Sequence, residues 1–363
     1  MRVGISTVHY AHNYGAMLQG YALKRYCENN GCEVYMTDRR RKILQKWSPR
    51  KIEKFSLKSI LLYPKYLYKW YLPKYLPIRK REHCFEHFLE KYLNDKPLPP
   101  NIDFDLIIYG SDQIWSKYDY GFNKIWWGYD NLTTKKRISY AASMGIVDIN
   151  KEDEPFVKEA LSQFSAISVR ETDLYEELIN RKLVDKENLQ IVIDPTFLLR
   201  KEEWLKITSA RLVKESYLLF YDFQVDRQTT EIVKTIARER NLKIVRITNG
   251  IESDDESDFY FKSMGPAEFL SLLYYSNFVF SSSFHGVAFS IIFEKQFATR
   301  QIWNTSRVRS LLEHSKLSDR FIDKKENCSQ LNNIDYNEVA VAMRNILKTS
   351  TAFLDANISN ISQ

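Results

Sequence analysis

The sequence predicts an α/β protein made of two Rossmann-like, doubly wound domains that face each other across a cleft. Three observations predict it. Short apolar runs recur along the chain, and each ends in a turn of small or polar residues that usually opens a helix: 104–109 before Gly110-Ser111-Asp112-Gln113, 166–169 before Arg170, and 278–281 before Ser282-Ser283-Phe284-His285-Gly286. At 363 residues, with 44% hydrophobic and 14% aromatic content, the chain is too long for one small core and apolar enough to fill two. The pattern also breaks at 197–216, a charged and strand-poor stretch, and restarts with the apolar run 217–221.

Taken in order, residues 1–7 read as a first strand, 9–15 as a turn, 16–29 as a helix and 33–37 as a second strand after Gly31. This is a βαβ opening, but GxGxxG is absent, so no dinucleotide is indicated. Prolines 49, 64, 73 and 77 argue against one continuous helix over 41–81. A helix is expected at 82–93, strands at 104–109 and 137–143, a helix at about 152–163, a strand at 166–169, a helix to about 180, and a strand at 190–193. The second unit has strands at 217–221, 243–247 and 278–281, with helices at 230–241 and 265–275. A strand-like run follows at 296–302, and a helix at 337–347. The expected division is an N-terminal domain 1–205 with an insertion at about 41–81, a C-terminal domain 206–335, and a helix and tail 336–363 that returns to the first domain.

Charge is uneven. The net charge is +7, yet residues 41–81 hold thirteen Lys/Arg against one acid, Glu53, a local +12. Eight Trp, Tyr and Phe residues lie in the same window. Basic residues interleaved with aromatics suit an anionic membrane surface. They also suit nucleic acid, or a solvated insertion whose rings pack on the domain. Nothing but charge supports nucleic acid, and no such partner is expected. No apolar run is long enough for a transmembrane helix, and MRVGISTVHY reads as a strand rather than a signal peptide, so a cytoplasmic location is expected. The four cysteines form no CxxC pair and read as reduced structural thiols.

His285 is the first candidate for chemistry, because imidazole can act as acid, base or phosphate ligand, and the helix start beside it offers N–H groups to an anion. A lone histidine is more often structural; a serine-rich strand end before it and a glycine after it argue for function. Arg170 follows an apolar strand, where a guanidinium needs an anion; the bland reading is an ion pair with Glu171 or another acid. Asp112 can accept a hydroxyl proton or simply form an Asx-turn. Asn13-Tyr14-Gly15 can bind a sugar or phosphate, or form a plain turn. Of Arg307 and Arg309, one is expected to face the cleft and the other solvent. His9 with His12, and His83 with His87, lack the partners of a metal site, and no metal is expected. GxSxG and GxxxxGK[ST] are absent, which disfavours hydrolase and P-loop readings.

Together these turns resemble the polysaccharide pyruvyl transferase family. The matching pieces are HNYGAMLQGYAL at 12–23, DLIIYGSDQIW at 105–115, ISYAASMG at 138–145, AISVRE at 166–171, IDPTFLL at 193–199 and SSSFHGVAFSIIFEKQF at 281–297. The resemblance implies a two-domain fold like the GT-B glycosyltransferases. It implies transfer of a pyruvyl group from phosphoenolpyruvate, the donor substrate and the only small molecule required, to a sugar hydroxyl pair, usually as a cyclic ketal. The family's arginine maps onto Arg170 and its histidine onto His285. Some members carry an arginine where this chain has Ser283, and Arg307 is the expected substitute. Arg170, His285 and Asp112 are then the catalytic candidates. Asn13, Tyr14, Gly15, Gly110, Ser111, Gln113, Ser282, Ser283, Phe284, Gly286 and Arg307 are the substrate-binding ones. The expected acceptor is a hexose, galactose favoured, in a surface polysaccharide or its polyprenyl-diphosphate-linked precursor, with 41–81 docking on the inner membrane face. The alternatives are a nucleotide-sugar glycosyltransferase of the same architecture and a non-catalytic polysaccharide-assembly protein.

Overall fold

The computed structural model describes residues 1–37, 76–93, 97–222, 226–248, 257–301, 305–322 and 331–359. Most of the basic-aromatic window, 41–75, and most of the acidic loop at 252–258 lie outside them.

The first sheet holds β1 (Arg2–Ser6), β2 (Glu33–Met36), β3 (Asp103–Tyr109) and β4 (Thr133–Ser139), all parallel, in the order β2-β1-β3-β4. Single bridges Ile138–Ala166 and Ala142–Val169 join it to the parallel pair β5 (Ile167–Val169) and β6 (Leu189–Ile191). The second sheet contains β7 (Tyr217–Tyr221), β8 (Lys243–Ile247), β9 (Phe259–Phe261), β10 (Phe278–Ser281) and β11 (Gln296–Ala298), again all parallel, in the order β11-β10-β7-β8-β9. Strand order reverses between β1 and β3 in one sheet and between β7 and β10 in the other. Those are the points where open α/β sheets leave a crevice at their carboxyl ends.

The helices follow from local chemistry. Helix α1 (Tyr14–Asn29) begins two residues earlier than the sequence predicts, because the Asn13 side chain accepts the Ala16 N–H and caps it. It is buried on nearly every face and wedges between the sheets. Helix α2 (Leu76–Phe88) carries Pro77 in its first turn, where a missing N–H costs little; this is why the proline does not break it. Then come α3 (Glu154–Leu161) and α4 (Thr172–Asn180). Helix α5 (Arg227–Glu239) is capped by Asp226, which accepts the Thr229 N–H at 2.7 Å, and buries Thr229, Ile232, Val233, Ile236 and Ala237 along one stripe. Helix α6 (Pro266–Tyr275) starts on a Gly-Pro pair, and α7 (Phe284–Ile292) and α8 (Ser306–His314) follow β10 and β11.

Two expectations shift. The strand predicted at 137–143 ends at Ser139, and residues 140–143 instead run beside the carboxyl ends of β3 and β5, where Ala142 bridges Asp112 and Val169. The last helix, α9 (Tyr336–Ser359), is longer than predicted. The Tyr336 hydroxyl donates to the carbonyls of Ser290 in α7 and Lys295 before β11, Ser350 Oγ accepts the Ile193 N–H at 2.8 Å, and Asp355 accepts from the Tyr26 hydroxyl at 2.7 Å. One apolar core runs through both sheets, with α1, α6, α7 and α9 in it.

Candidate active site

The site forms where the carboxyl ends of β3, β5 and β6 meet the amino end of α7. Its hub is Asp194, three residues past β6 and wholly buried. Asp194 Oδ1 accepts from the Thr196 N–H at 3.0 Å and the Thr196 hydroxyl at 2.8 Å. Oδ2 takes Arg170 Nη1 at 2.6 Å, and His285 Nε2 lies 3.6 Å away. Ile193, just before it, has both backbone groups tied, its N–H to Ser350 and its carbonyl to the Tyr140 hydroxyl, so the carboxylate is held from behind. Burial works against the charge of Asp194, but His285 and Arg170 outweigh it and hold the carboxyl far below the usual carboxylate range.

Arg170 stands directly after β5 and is 4% exposed. Besides Asp194, it faces Glu171 Oε1 at 3.8 Å from Nε and Asp112 Oδ1 at 3.9 Å from Nη2. Both distances exceed hydrogen-bond length, and Nε and Nη2 have no hydrogen-bond acceptor among the described residues. Burial opposes its charge, yet Asp194, Glu171 and Asp112 together raise its pKa. The ion-pair reading of Arg170 is therefore met by Asp194, while two of its nitrogens remain for a ligand.

Phe284 collects the cations. Arg170 Cζ lies 4.4 Å and Arg307 Cζ 6.0 Å from its ring centroid. Arg307 reaches this ring from α8, whereas Arg309, two residues along the helix, is exposed with its guanidinium 4.2 Å from the Phe321 ring centroid. Burial and the neighbouring Arg170 lower the pKa of Arg307. The first turn of α7, which begins with Phe284, has no side-chain cap, so the helix's positive end lies beside this ring.

His285 is 6% exposed and sits against α1, where a Cβ on Gly15 would lie 1.9 Å from its Nδ1. Only a glycine fits there. Gly110 is also constrained: its φ is +119°, and a Cβ would lie 2.3 Å from the Tyr140 carbonyl. The Gly110–Ser111 peptide is cis. Ser111 is buried, its Oγ 3.0 Å from the Ala141 carbonyl and 3.3 Å from Asp194 Oδ2. Asp112 (φ 73°) and Gln113 are partly buried at the same turn. Ser282 Oγ donates to Asp222 at the end of β7, the Ser283 N–H donates to Ser281 Oγ, and Gly286 is buried in the first turn of α7.

Two expected ligand residues are otherwise engaged. The Asn13 amide oxygen caps α1. Tyr14 is 2% exposed, stacks on Phe269 with ring centroids 4.6 Å apart, and donates its hydroxyl to the Met264 carbonyl at 3.0 Å. Its apolar body gains more from this packing than a polar turn would supply. His9 is buried beside the Thr7 carbonyl, and His12 faces Glu86 at 3.5 Å. Among the described residues, no three His, Cys, Asp or Glu side chains are grouped to hold a metal. Asp194 and Glu171 were not read as site residues from sequence. An aspartate before Pro195-Thr196 reads as a turn cap, which it also is; its strand-end position, shared with Arg170, was the available signal.

The sequence profile of the family described as polysaccharide pyruvyl transferase matches residues 13–299. The chain belongs to that family. It is therefore a transferase whose acceptor is a polysaccharide. No functionally curated protein matches the sequence. Among solved structures, a UDP-GlcNAc 2-epimerase from Neisseria meningitidis bound to UDP-GlcNAc aligns at TM-score 0.52 and 11% identity, covering 98% of this chain and 99% of that one. A UDP-GlcNAc 2-epimerase from Methanocaldococcus jannaschii aligns at TM-score 0.46 and 12% identity over 93% of each chain. A spinosyn forosaminyltransferase aligns at TM-score 0.46 and 11% identity over 100% of each. The fold is GT-B-like. No described helix is long and apolar enough to cross a membrane.

Proposed function

We propose that the protein transfers the pyruvyl group of phosphoenolpyruvate to two hydroxyls of a hexose, galactose favoured, in a surface polysaccharide or its polyprenyl-diphosphate-linked precursor, and closes a cyclic ketal. The observation that carries this reading is the convergence of Arg170, Arg307 and the open end of α7 around Phe284, beside His285. A donor with both carboxylate and phosphate needs two cationic contacts and N–H donors, and these groups offer them.

In this reading His285, beside Asp194, gives a proton to the donor methylene carbon, which becomes a methyl group and leaves C2 electron-poor. One sugar hydroxyl bonds to C2 and releases its proton, with Asp112 as acceptor. The second hydroxyl then bonds to C2 as the C2–O bond to phosphate breaks. Phosphate leaves with that electron pair and takes up the second hydroxyl's proton. Arg170 Nε and Nη2, with Arg307, hold the donor carboxylate and the departing phosphate. The basic-aromatic window would bring this site to a lipid-linked acceptor at an anionic membrane, and neutralising its lysines and arginines should abolish binding to anionic liposomes.

The test incubates galactosyl and mannosyl acceptors with phosphoenolpyruvate and follows both acceptor mass and free phosphate. A pyruvyl ketal gained with one phosphate released supports the reading. Nucleotide release from a sugar nucleotide, with no mass gain from phosphoenolpyruvate, would replace it by glycosyl transfer.

A further inference from the structure

The charges at this site do not add up to a ready anion trap. Arg170 and Arg307 face Asp112, Glu171 and Asp194, so even with the proton that His285 is to deliver the six groups carry no net positive charge. A donor bearing a carboxylate and a phosphate needs that balance to change. Asp194 is fully engaged by Thr196 and Arg170, and the Asp112 side chain still meets solvent. Glu171 differs from both. It is wholly buried, Oε1 accepts the Ser143 hydroxyl, Oε2 has no hydrogen bond among the described residues, and Arg170 Nε stops 3.8 Å short. The groups acting on it are Arg170 beside it, Ser143 from the 140–143 segment, Arg307 from α8 and Asp173 in the first turn of α4.

We propose that Glu171 is a positioning residue that takes up one proton from solvent when the anionic donor binds, and so frees Arg170 Nε and Arg307 to hold the donor. An ionised Glu171 competes with the donor for both guanidiniums, while a protonated one does not, and its hydroxyl can donate to the donor or to Ser143. Burial already pushes this carboxyl up to about 7, so one proton suffices near neutral pH. The inference rests on the reading of the cleft as the donor site.

Isothermal titration of the full chain with phosphoenolpyruvate, without acceptor, in buffers of different ionisation enthalpy tests it. At about pH 8 the wild type should take up roughly one more proton per donor than Glu171→Gln. Wild-type affinity should fall with rising pH by up to about tenfold per unit relative to that variant. Glu171→Gln should bind the donor at least as tightly at high pH, a result that a merely structural glutamate would not give. Ser143→Ala removes a hydrogen bond to the ionised form, so it should move the pH break upward; this also decides the matter if Glu171→Gln fails to fold. Equal proton uptake and parallel pH profiles, or a break unmoved in Ser143→Ala, would overturn the proposal while leaving the donor site standing. Absence of donor binding in every form would overturn both.

Discussion

Gly15 lies so close to His285 that a Cβ on it would fall 1.9 Å from the imidazole Nδ1. The first turn of α1 and the first turn of α7 thus set each other's position, and the histidine is held between Gly15 on one side and Asp194 on the other. Gly15→Ala should displace His285 by about an ångström and lower turnover by about 10²-fold. Alanine favours the helix, so circular dichroism should show an intact fold. Unchanged turnover would mean that His285 needs no fixed position.

Arg307 and Arg309 separate cleanly by which ring each guanidinium lies near. Arg307→Ala removes one of the two cations at Phe284 and should raise the donor KM roughly ten- to a hundredfold, the range of a lost charge-assisted hydrogen bond. Arg309→Ala removes only a contact with Phe321 and should leave donor KM unchanged. Initial-rate kinetics over a range of phosphoenolpyruvate concentrations distinguish the two, and equal effects would contradict the assignment.

Tyr14 belongs to the core that joins the two sheets. Tyr14→Ala should cost about 3–5 kcal/mol in urea unfolding, through the cavity left against Phe269 and Phe85. Tyr14→Phe keeps the ring, loses the hydrogen bond to the Met264 carbonyl and should cost about 1 kcal/mol. A direct ligand role would show instead as lost donor or acceptor binding in Tyr14→Phe.

Glu171 should also mark the pH dependence of stability. Its folded pKa of about 7 lies above the ordinary 4.5. Its contribution is therefore fully present below about pH 4.5 and is lost as pH rises through about 7, by on the order of 3 kcal/mol. Glu171→Gln lacks this loss, so unfolding free energies measured from about pH 4.5 to pH 8 should diverge in the variant's favour. Asp194 works in the opposite sense: its depressed pKa makes stability fall as pH drops below about 4.

Much of the candidate site's geometry was legible because strand ends announce themselves. Asp112, Arg170 and His285 each follow an apolar run directly or within a few residues, and parallel sheets place such ends together. The pairing of Arg170 with an acid was also foreseeable, since a buried guanidinium demands one. Which acid was not. Glu171 is its chain neighbour and stops 3.8 Å from Arg170 Nε, while the hydrogen-bonded carboxylate comes from Asp194, past the end of the next strand. The packing of Tyr14 was hidden for a similar reason: it lies in a polar turn, and its ring partner, Phe269, is distant in sequence.

The sequence by itself determined the alternation of strand and helix, the family, and the residue types an anion site needs, because apolar periodicity and turn chemistry are local properties. Only the tertiary structure decided that Arg307 rather than Arg309 reaches Phe284, that Asp194 stands between Arg170 and His285, and that Gly15 must lack a side chain. Those relationships depend on how the two sheets and α1 pack, and packing joins residues that no local pattern connects.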